Sequence, residues 1–276
     1  TATVTFNNVL KKGNLKVIKT SEDNIVKNMK FHLYGIAVNG SEVNQYANTN
    51  ENGIAMFENI PIASNQGYTL EEIDTAVRYV VPDSLNITIK WNETVSATVA
   101  NKLKKFNVTL TKTDIETGEH QGDGKLSGAV YGIYKDGELV DSYTTDTNGQ
   151  FTTSYYVCGT NWTVKEITPS EGYLLDNTVY RVGAEPEKYT VEYNSILLDS
   201  KEQVKKGKVS IIKHTNNGET QIETPENGAE FEVYLKSAGS YQNAKATERD
   251  ILICNEDGFA ETKMLPYGVY TFHQTK

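Results

Sequence analysis

The chain reads as all-β, a tandem array of small antiparallel, immunoglobulin-like sandwiches forming a rod. A repeat of about 95 residues, turn dipeptides at matching places in each repeat, and short runs in which apolar and polar residues alternate carry this expectation. Helical periodicity is scarce, because Leu70 to Val77 is short and Gly, Asn and Thr interrupt other candidates.

Each repeat opens on a strand with a lysine where a hydrophobe belongs: Leu15, Val17, Lys19, then Val108, Leu110, Lys112, then Val209, Ile211, Lys213. Residues two apart on a strand share a face, so each lysine faces inward with its apolar neighbours. A buried ammonium must lose its proton, pair with a carboxylate or react. For any one copy alone, an edge strand whose lysine reaches water is the plainer reading. A second strand follows, with Phe31, Leu33, Tyr34 matched by Tyr131, Ile133, Tyr134 and by Phe231, Val233, Tyr234; Gly128-Ala129 and Gly228-Ala229 precede the last two. Asn52-Gly53, Asn148-Gly149 and Asp257-Gly258 are dipeptides that suit tight hairpin turns. Gly67, Gly159 and Gly268 then introduce aromatic strands: Tyr68, Leu70, Glu72; Trp162, Val164, Glu166; Tyr270, Phe272, Gln274. A last strand, Val95, Ala97, Val99, Asn101, precedes Lys104 and Lys105, and the start of the chain (Val4, Phe6, Asn8, then Lys11 and Lys12) has the same phrase. Asn8 stands eleven positions before Lys19 and Asn101 eleven before Lys112. The expected division is residues 1–9 as the last strand of an upstream domain that has been cut away, sandwiches at 10–102 and 103–203, and a third, C-terminally truncated one at 204–276. Linkers of a few residues would leave each domain touching mainly the neighbouring domains of the same protein.

With 276 residues, two or three domains can each bury a core. A net charge of -9 argues against a nucleic-acid partner or an anionic membrane surface. No run of eighteen apolar residues suggests membrane insertion in this segment, and the first residues lack the pattern of a signal peptide. Export and anchoring signals are expected outside this piece. Cys158 and Cys254 fall in different repeats and read as small buried hydrophobes, not a bridge. The four histidines lack metal-ligand spacing, and no phosphate loop or serine-nucleophile motif occurs, so neither metal nor cofactor is expected.

The inward polar residues form trios. The first repeat offers Lys19, Glu72 and Asn101. The second offers Lys112, Glu166 and Asp199, with Asn194 as the other acceptor; Asp199 shares parity with Tyr193 and Leu197 but lies fourteen positions before Lys213. In an apolar interior burial disfavours both charged forms, leaving an amine nucleophile and a carboxylic acid. The neutral amine can attack the acceptor's carbonyl carbon while the glutamic acid hydrogen-bonds its oxygen and shuttles protons to the leaving group. Such a trio is also what a buried salt-bridge network would contain.

These phrases resemble the Cna protein B-type domains, also called SpaA-like or prealbumin-like, of Gram-positive surface adhesins and pilins. The carriers are Val-x-Leu-x-Lys-Thr-Asp at Val108 to Asp114, Gly-Ala-x-aromatic-x-aliphatic-Tyr at Gly128 to Tyr134 and Gly228 to Tyr234, and Tyr/Trp-Thr-x-x-Glu ending at Glu72 and Glu166. The resemblance implies internal isopeptide bonds from Lys19 to Asn101 and from Lys112 to Asp199, promoted by Glu72 and Glu166. It further implies a stalk or spacer segment of an exported, cell-wall-anchored adhesin or pilus protein, with chemistry that is self-directed and happens once rather than enzymatic turnover. The competing expectation is a binding module in which loops or some of the seventeen tyrosines recognise a host matrix protein or glycan. In the third repeat Gln274 replaces the glutamate, so Lys213 is expected to stay unlinked within this chain, bonded to a neighbouring side chain or reaching water.

Overall fold

A computed structural model of the chain describes residues 2–214 and 226–276. The first sandwich comprises β1 (Lys12–Ser21), β2 (Lys30–Ala37), β3 (Glu42–Asn48), β4 (Ile54–Pro61), β5 (Ala63–Ile73), β6 (Leu85–Ile87) and β7 (Thr94–Asn101). One sheet has the order β4-β1-β7 and the other β3-β2-β5-β6. β1 runs antiparallel to β4 but parallel to β7, with Lys19 opposite Val99 and Ser21 opposite Asn101. The first and last strands are therefore neighbours. Inward alternates from both sheets, among them Leu15, Val17, Phe31, Leu33, Phe57, Tyr68, Leu70, Ala97 and Val99, make one apolar core.

The second repeat contributes β8 (Lys105–Asp114), β9 (Val130–Lys135), β10 (Glu138–Thr144), β11 (Gln150–Thr152), β12 (Tyr156–Val157), β13 (Trp162–Thr168), β14 (Tyr180–Arg181) and β15 (Tyr193–Glu202). Its sheets follow the same plan, β10-β9-β13-β14 and β11-β8-β12, with β15 also paired to β8. The third holds β16 (Lys206–Gly207), β17 (Ser210–Ile212), β18 (Glu230–Leu235), β19 (Arg249–Ile253), β20 (Phe259–Glu261), β21 (Leu265–Pro266) and β22 (Tyr270–Gln274). Ala229, Val233, Leu252, Cys254, Ala260 and Leu265 form its core. By compactness the chain divides into two units, residues 1–107, 155–160 and 184–194 in one and 108–154, 161–183 and 195–276 in the other.

Two expectations need correction. Residues 2–11 form no strand, and Val4 and Phe6 are largely exposed. Alternation alone does not make a strand: a segment without a neighbour to hydrogen-bond has nothing to offset its ordering entropy. The Asn-Gly and Asp-Gly turns do not close hairpins either. Each joins strands of different sheets, β3 to β4, β10 to β11 and β19 to β20. The reason is a side chain two residues before the dipeptide's first member. Asn50 Oδ1 accepts the N–H groups of Asn52 and Ile54, Asp146 Oδ1 those of Asn148 and Gln150, and Asn255 Oδ1 those of Asp257 and Phe259. This Asx-type wrapping makes a wider turn than a two-residue hairpin.

The turn glycine also fixes the lysine strand. Gly53, Gly149 and Gly258 adopt φ of 71°, 74° and 72°. Their carbonyls accept the backbone N–H of Lys19, Lys112 and Lys213, each at 2.8 Å. A Cβ at these glycines would lie 2.6, 2.5 and 2.3 Å from the carbonyl oxygen of the same three lysines, so no other residue fits.

Candidate functional site

Lys19, Glu72 and Asn101 converge in the first unit from three strands. Lys19 follows Leu15 and Val17 on the buried face of β1, Glu72 follows Tyr68 and Leu70 on β5, and Asn101 follows Ala97 and Val99 on β7. The Lys19 and Glu72 side chains are 0% and 1% exposed, with Nζ 2.7 Å from Glu72 Oε2. Asn101 Nδ2 donates to the other carboxyl oxygen, Glu72 Oε1, at 2.8 Å. One carboxyl group thus spans the lysine nitrogen and the amide nitrogen. Asn101 Oδ1 is buried and finds no hydrogen-bond donor among the described residues. Burial pushes the Lys19 ammonium below its ordinary range, against the opposing hydrogen bond and charge of Glu72.

The second cluster holds Lys112 and Glu166, as the sequence suggests, but a different third member. Asp199 is exposed. Asn194 donates to the carbonyls of Lys105 and Val191, near the other end of β15. The residue that contacts Lys112 Nζ is Glu202, and both side chains are 0% exposed. The correction is one of parity: inward positions on β15 are even-numbered, ending at the buried Ser200 and Glu202, and a one-residue slip moves every side chain to the opposite face. Glu202 is the counterpart of Asn101 by backbone geometry as well. The N–H of Glu22, three residues after Lys19, donates to the Asn101 carbonyl (3.2 Å); the N–H of Ile115, three after Lys112, donates to that of Glu202 (2.9 Å). Isolated bridges two residues further on match too, Tyr79 with Leu103 and Tyr173 with Val204. The signal was present in the sequence, since Glu202 stands eleven positions before Lys213, the spacing already seen at Asn8 and Asn101.

Around Glu202 lies a polar network that the sequence reading missed. The Tyr131 hydroxyl donates to Glu202 Oε1 (2.5 Å), and the Ser200 hydroxyl lies 2.9 Å from Tyr131 and 3.3 Å from the same oxygen. Tyr180 donates to Asp176 Oδ2 at 2.6 Å. The N–H of Asp176 donates to Glu166 Oε2 at 2.7 Å, while Glu166 Oε1 is buried without a hydrogen-bond partner among the described residues. Lys112 Nζ sits 4.3 Å from the centre of the Tyr173 ring, a cation–π distance. Burial lowers Lys112 to about 8, opposed by the charges of Glu166, Asp176 and Asp114. Burial raises Glu166 above the usual carboxylate range, opposed by the Asp176 N–H and Lys112. Burial thus works against the charged form of both groups in one interior.

In the third repeat Lys213 is half-buried and donates to Gln274 Oε1 at 3.0 Å. Cys158 and Cys254 are free and buried, and burial pushes the Cys158 thiol up to about 11. Among the described residues, no group of three or more His, Cys, Asp or Glu side chains is placed to hold a metal ion, and no helix is long and apolar enough to cross a membrane.

No curated protein matches the sequence. Among solved structures, the Bacillus anthracis TIE protein aligns with 96% of this chain at 25% identity and a TM-score of 0.68; the chain spans 45% of that protein's length. A Streptococcal ancillary pilin matches at 18% identity over 71% of this chain and 63% of its own, with a TM-score of 0.31. The shaft pilin SpaA from Lactobacillus rhamnosus GG matches at 18% over 68% of this chain and 98% of its own, with a TM-score of 0.30. The model of the SpaA prealbumin-like fold domain matches residues 13–103 and again 106–196, more than half of the chain. The two sandwiches in which a lysine is buried against a glutamate are thus the two that match, and the chain belongs to the SpaA prealbumin-like fold family.

Proposed function

We propose that this chain is a load-bearing spacer of a Gram-positive cell-wall-anchored adhesin or pilus protein, held together by intramolecular isopeptide bonds that it forms on itself. The observation that carries the reading is the buried contact of Lys19, Glu72 and Asn101. Neutral Lys19 Nζ attacks Asn101 Cγ. Glu72 takes a proton from the lysine nitrogen through Oε2 and supplies one to the departing amide nitrogen through Oε1, so that an amide forms and ammonia leaves. The bond forms once per chain, without turnover.

The topology makes the bond useful. β1 enters and β7 leaves the sandwich as parallel neighbours, so tension along the chain would pass from β1 through Lys19 and Asn101 into the following linker. Strands β2 to β6 would carry none of it. A crosslink of this kind restricts the unfolded chain as a disulfide does, yet withstands reduction, which suits an exported protein whose cysteines are not paired.

Accurate mass measurement of the intact chain tests the reading. One ammonia is missing from the sequence mass, a proteolytic peptide joins Lys19 to Asn101, and Lys19→Ala restores the ammonia. A chain in which Lys19 and Asn101 appear only in separate linear peptides overturns it.

A further inference from the structure

We propose that the second sandwich closes its own crosslink through a glutamate, joining Lys112 Nζ to Glu202 Cδ with loss of water. This rests on the self-crosslinking chemistry proposed for the first sandwich, but it is carried by a different set of residues.

Glu202 occupies the acceptor place on three independent grounds: its position eleven residues before the next repeat's lysine, its carbonyl's bond to the N–H three residues after Lys112, and its side-chain contact with Lys112 Nζ. A glutamate differs from the asparagine of the first sandwich by one methylene and by a second oxygen in place of nitrogen. The surroundings differ in matching ways. Phe31, opposite Glu72 across β2 and β5, becomes Tyr131, opposite Glu166 across β9 and β13. Val99, two residues before Asn101, becomes Ser200, two before Glu202. Both replacements add a hydroxyl, and both hydroxyls lie within 3.3 Å of Glu202 Oε1. Held in this way, the two oxygens of Glu202 are placed for acylation: the oxygen that Tyr131 grips is the one on which negative charge grows when the amine adds to Cδ, and the oxygen beside Lys112 is the one that departs.

The balance is complete within the chain. The neutral Lys112 amine adds to Cδ of the protonated Glu202 carboxyl, and the Cδ–Oε2 bond breaks. One of the two amine hydrogens, relayed by Glu166, joins the departing Oε2–H group as water, and the amide keeps the other N–H. No oxidant, metal or cofactor enters.

The test is peptide mapping and accurate mass of the wild-type chain beside Glu202→Ala, with the Lys19 to Asn101 peptide as an internal control of folding. The expected wild-type chain lacks one ammonia and one water and yields a branched peptide joining Lys112 to Glu202; Glu202→Ala recovers the water and keeps the ammonia loss. Loss of ammonia alone would leave Lys112 and Glu202 an ion pair, overturning this inference while the first crosslink stands. A water lost through a peptide joining Lys112 to any other residue overturns the assignment of Glu202. A chain at its full sequence mass overturns both readings together.

Discussion

The first and second sandwiches share strand order, turn chemistry and the placement of a buried lysine, yet they surround that lysine differently. In the first, Phe31, Val99 and Asn101 leave one carboxylate, Glu72, to meet both nitrogens. In the second, Tyr131, Ser200 and Glu202 stand at the same places and form a network that continues to Tyr180, Asp176 and Glu166. The difference teaches that the acceptor is not exchanged alone. A carboxyl group brings an extra buried oxygen, and a buried acceptor without a donor is costly, so donors arrive with it.

The largest expected effect comes from removing the acceptor in the simpler site. Asn101→Ala should abolish the first crosslink. On the loop-closure estimate for a loop of domain length, that removes about 4 to 5 kcal/mol. The melting temperature of the first sandwich should fall by roughly 20 to 30 °C in calorimetry. Pulled between its ends, the variant should show an unfolding step, with about 3.5 Å released per freed residue, that the wild type lacks. An unchanged melting curve would mean that the bond is not what distinguishes this sandwich from an ordinary one.

The next effect separates the two promoters. Glu72→Gln keeps shape and hydrogen bonding but cannot take and return a proton, so ammonia loss should stop while water loss in the second sandwich continues. Glu166→Gln should do the reverse. The sites share no residue, and their losses should add; a variant that silences both clusters would break the comparison.

Much of this was legible in the sequence because alternation and spacing are local. The three lysines, Glu72, Glu166 and Asn101 were all visible as polar intrusions in apolar strands. The second acceptor was not, because β15 carries apolar residues on both parities: Tyr193 and Leu197 on one, Ile196 and Leu198 on the other. Alternation cannot choose a face for such a strand, and the exposed Leu197 shows that the apolar odd set points outward. Register against β8 decides it, and register is long-range. The turns failed for a related reason. Asn-Gly describes two residues, whereas the wrapping depends on Asn50, Asp146 and Asn255 just before them.

A smaller effect is electrostatic and belongs to the second sandwich alone. In Glu202→Ala the lysine stays buried and unlinked. Its pKa of about 8 lies below the ordinary 10.5, so between these values the unfolded chain binds a proton that the folded chain does not. Stability should therefore rise with pH across that window, by about 3 kcal/mol in all, and the gain should be absent below pH 8. Denaturant titrations of Glu202→Ala against Glu202→Ala/Lys112→Met isolate the term, because methionine keeps the apolar stem and removes the charge. A difference that stays flat from pH 8 to 10.5 would show that Lys112 reaches water once its partner is gone.

The smallest expected effect tests whether the hydroxyls serve the acceptor. Tyr131→Phe removes the donor to Glu202 Oε1 and leaves the ring, which packs 5.6 Å from Phe151, in place. Ser200 remains within reach of the same oxygen, so the crosslink should still form, only more slowly. The loss should be on the order of 1 to 2 kcal/mol in the barrier, or about a tenfold slower disappearance of the unlinked mass after refolding. The reciprocal change, Phe31→Tyr, places a hydroxyl beside a site whose acceptor nitrogen already faces Glu72 and should not speed the first crosslink. If Tyr131→Phe forms its bond at the wild-type rate, the tyrosine only satisfies a buried oxygen. The two sandwiches would then differ in what they bury and not in how they react.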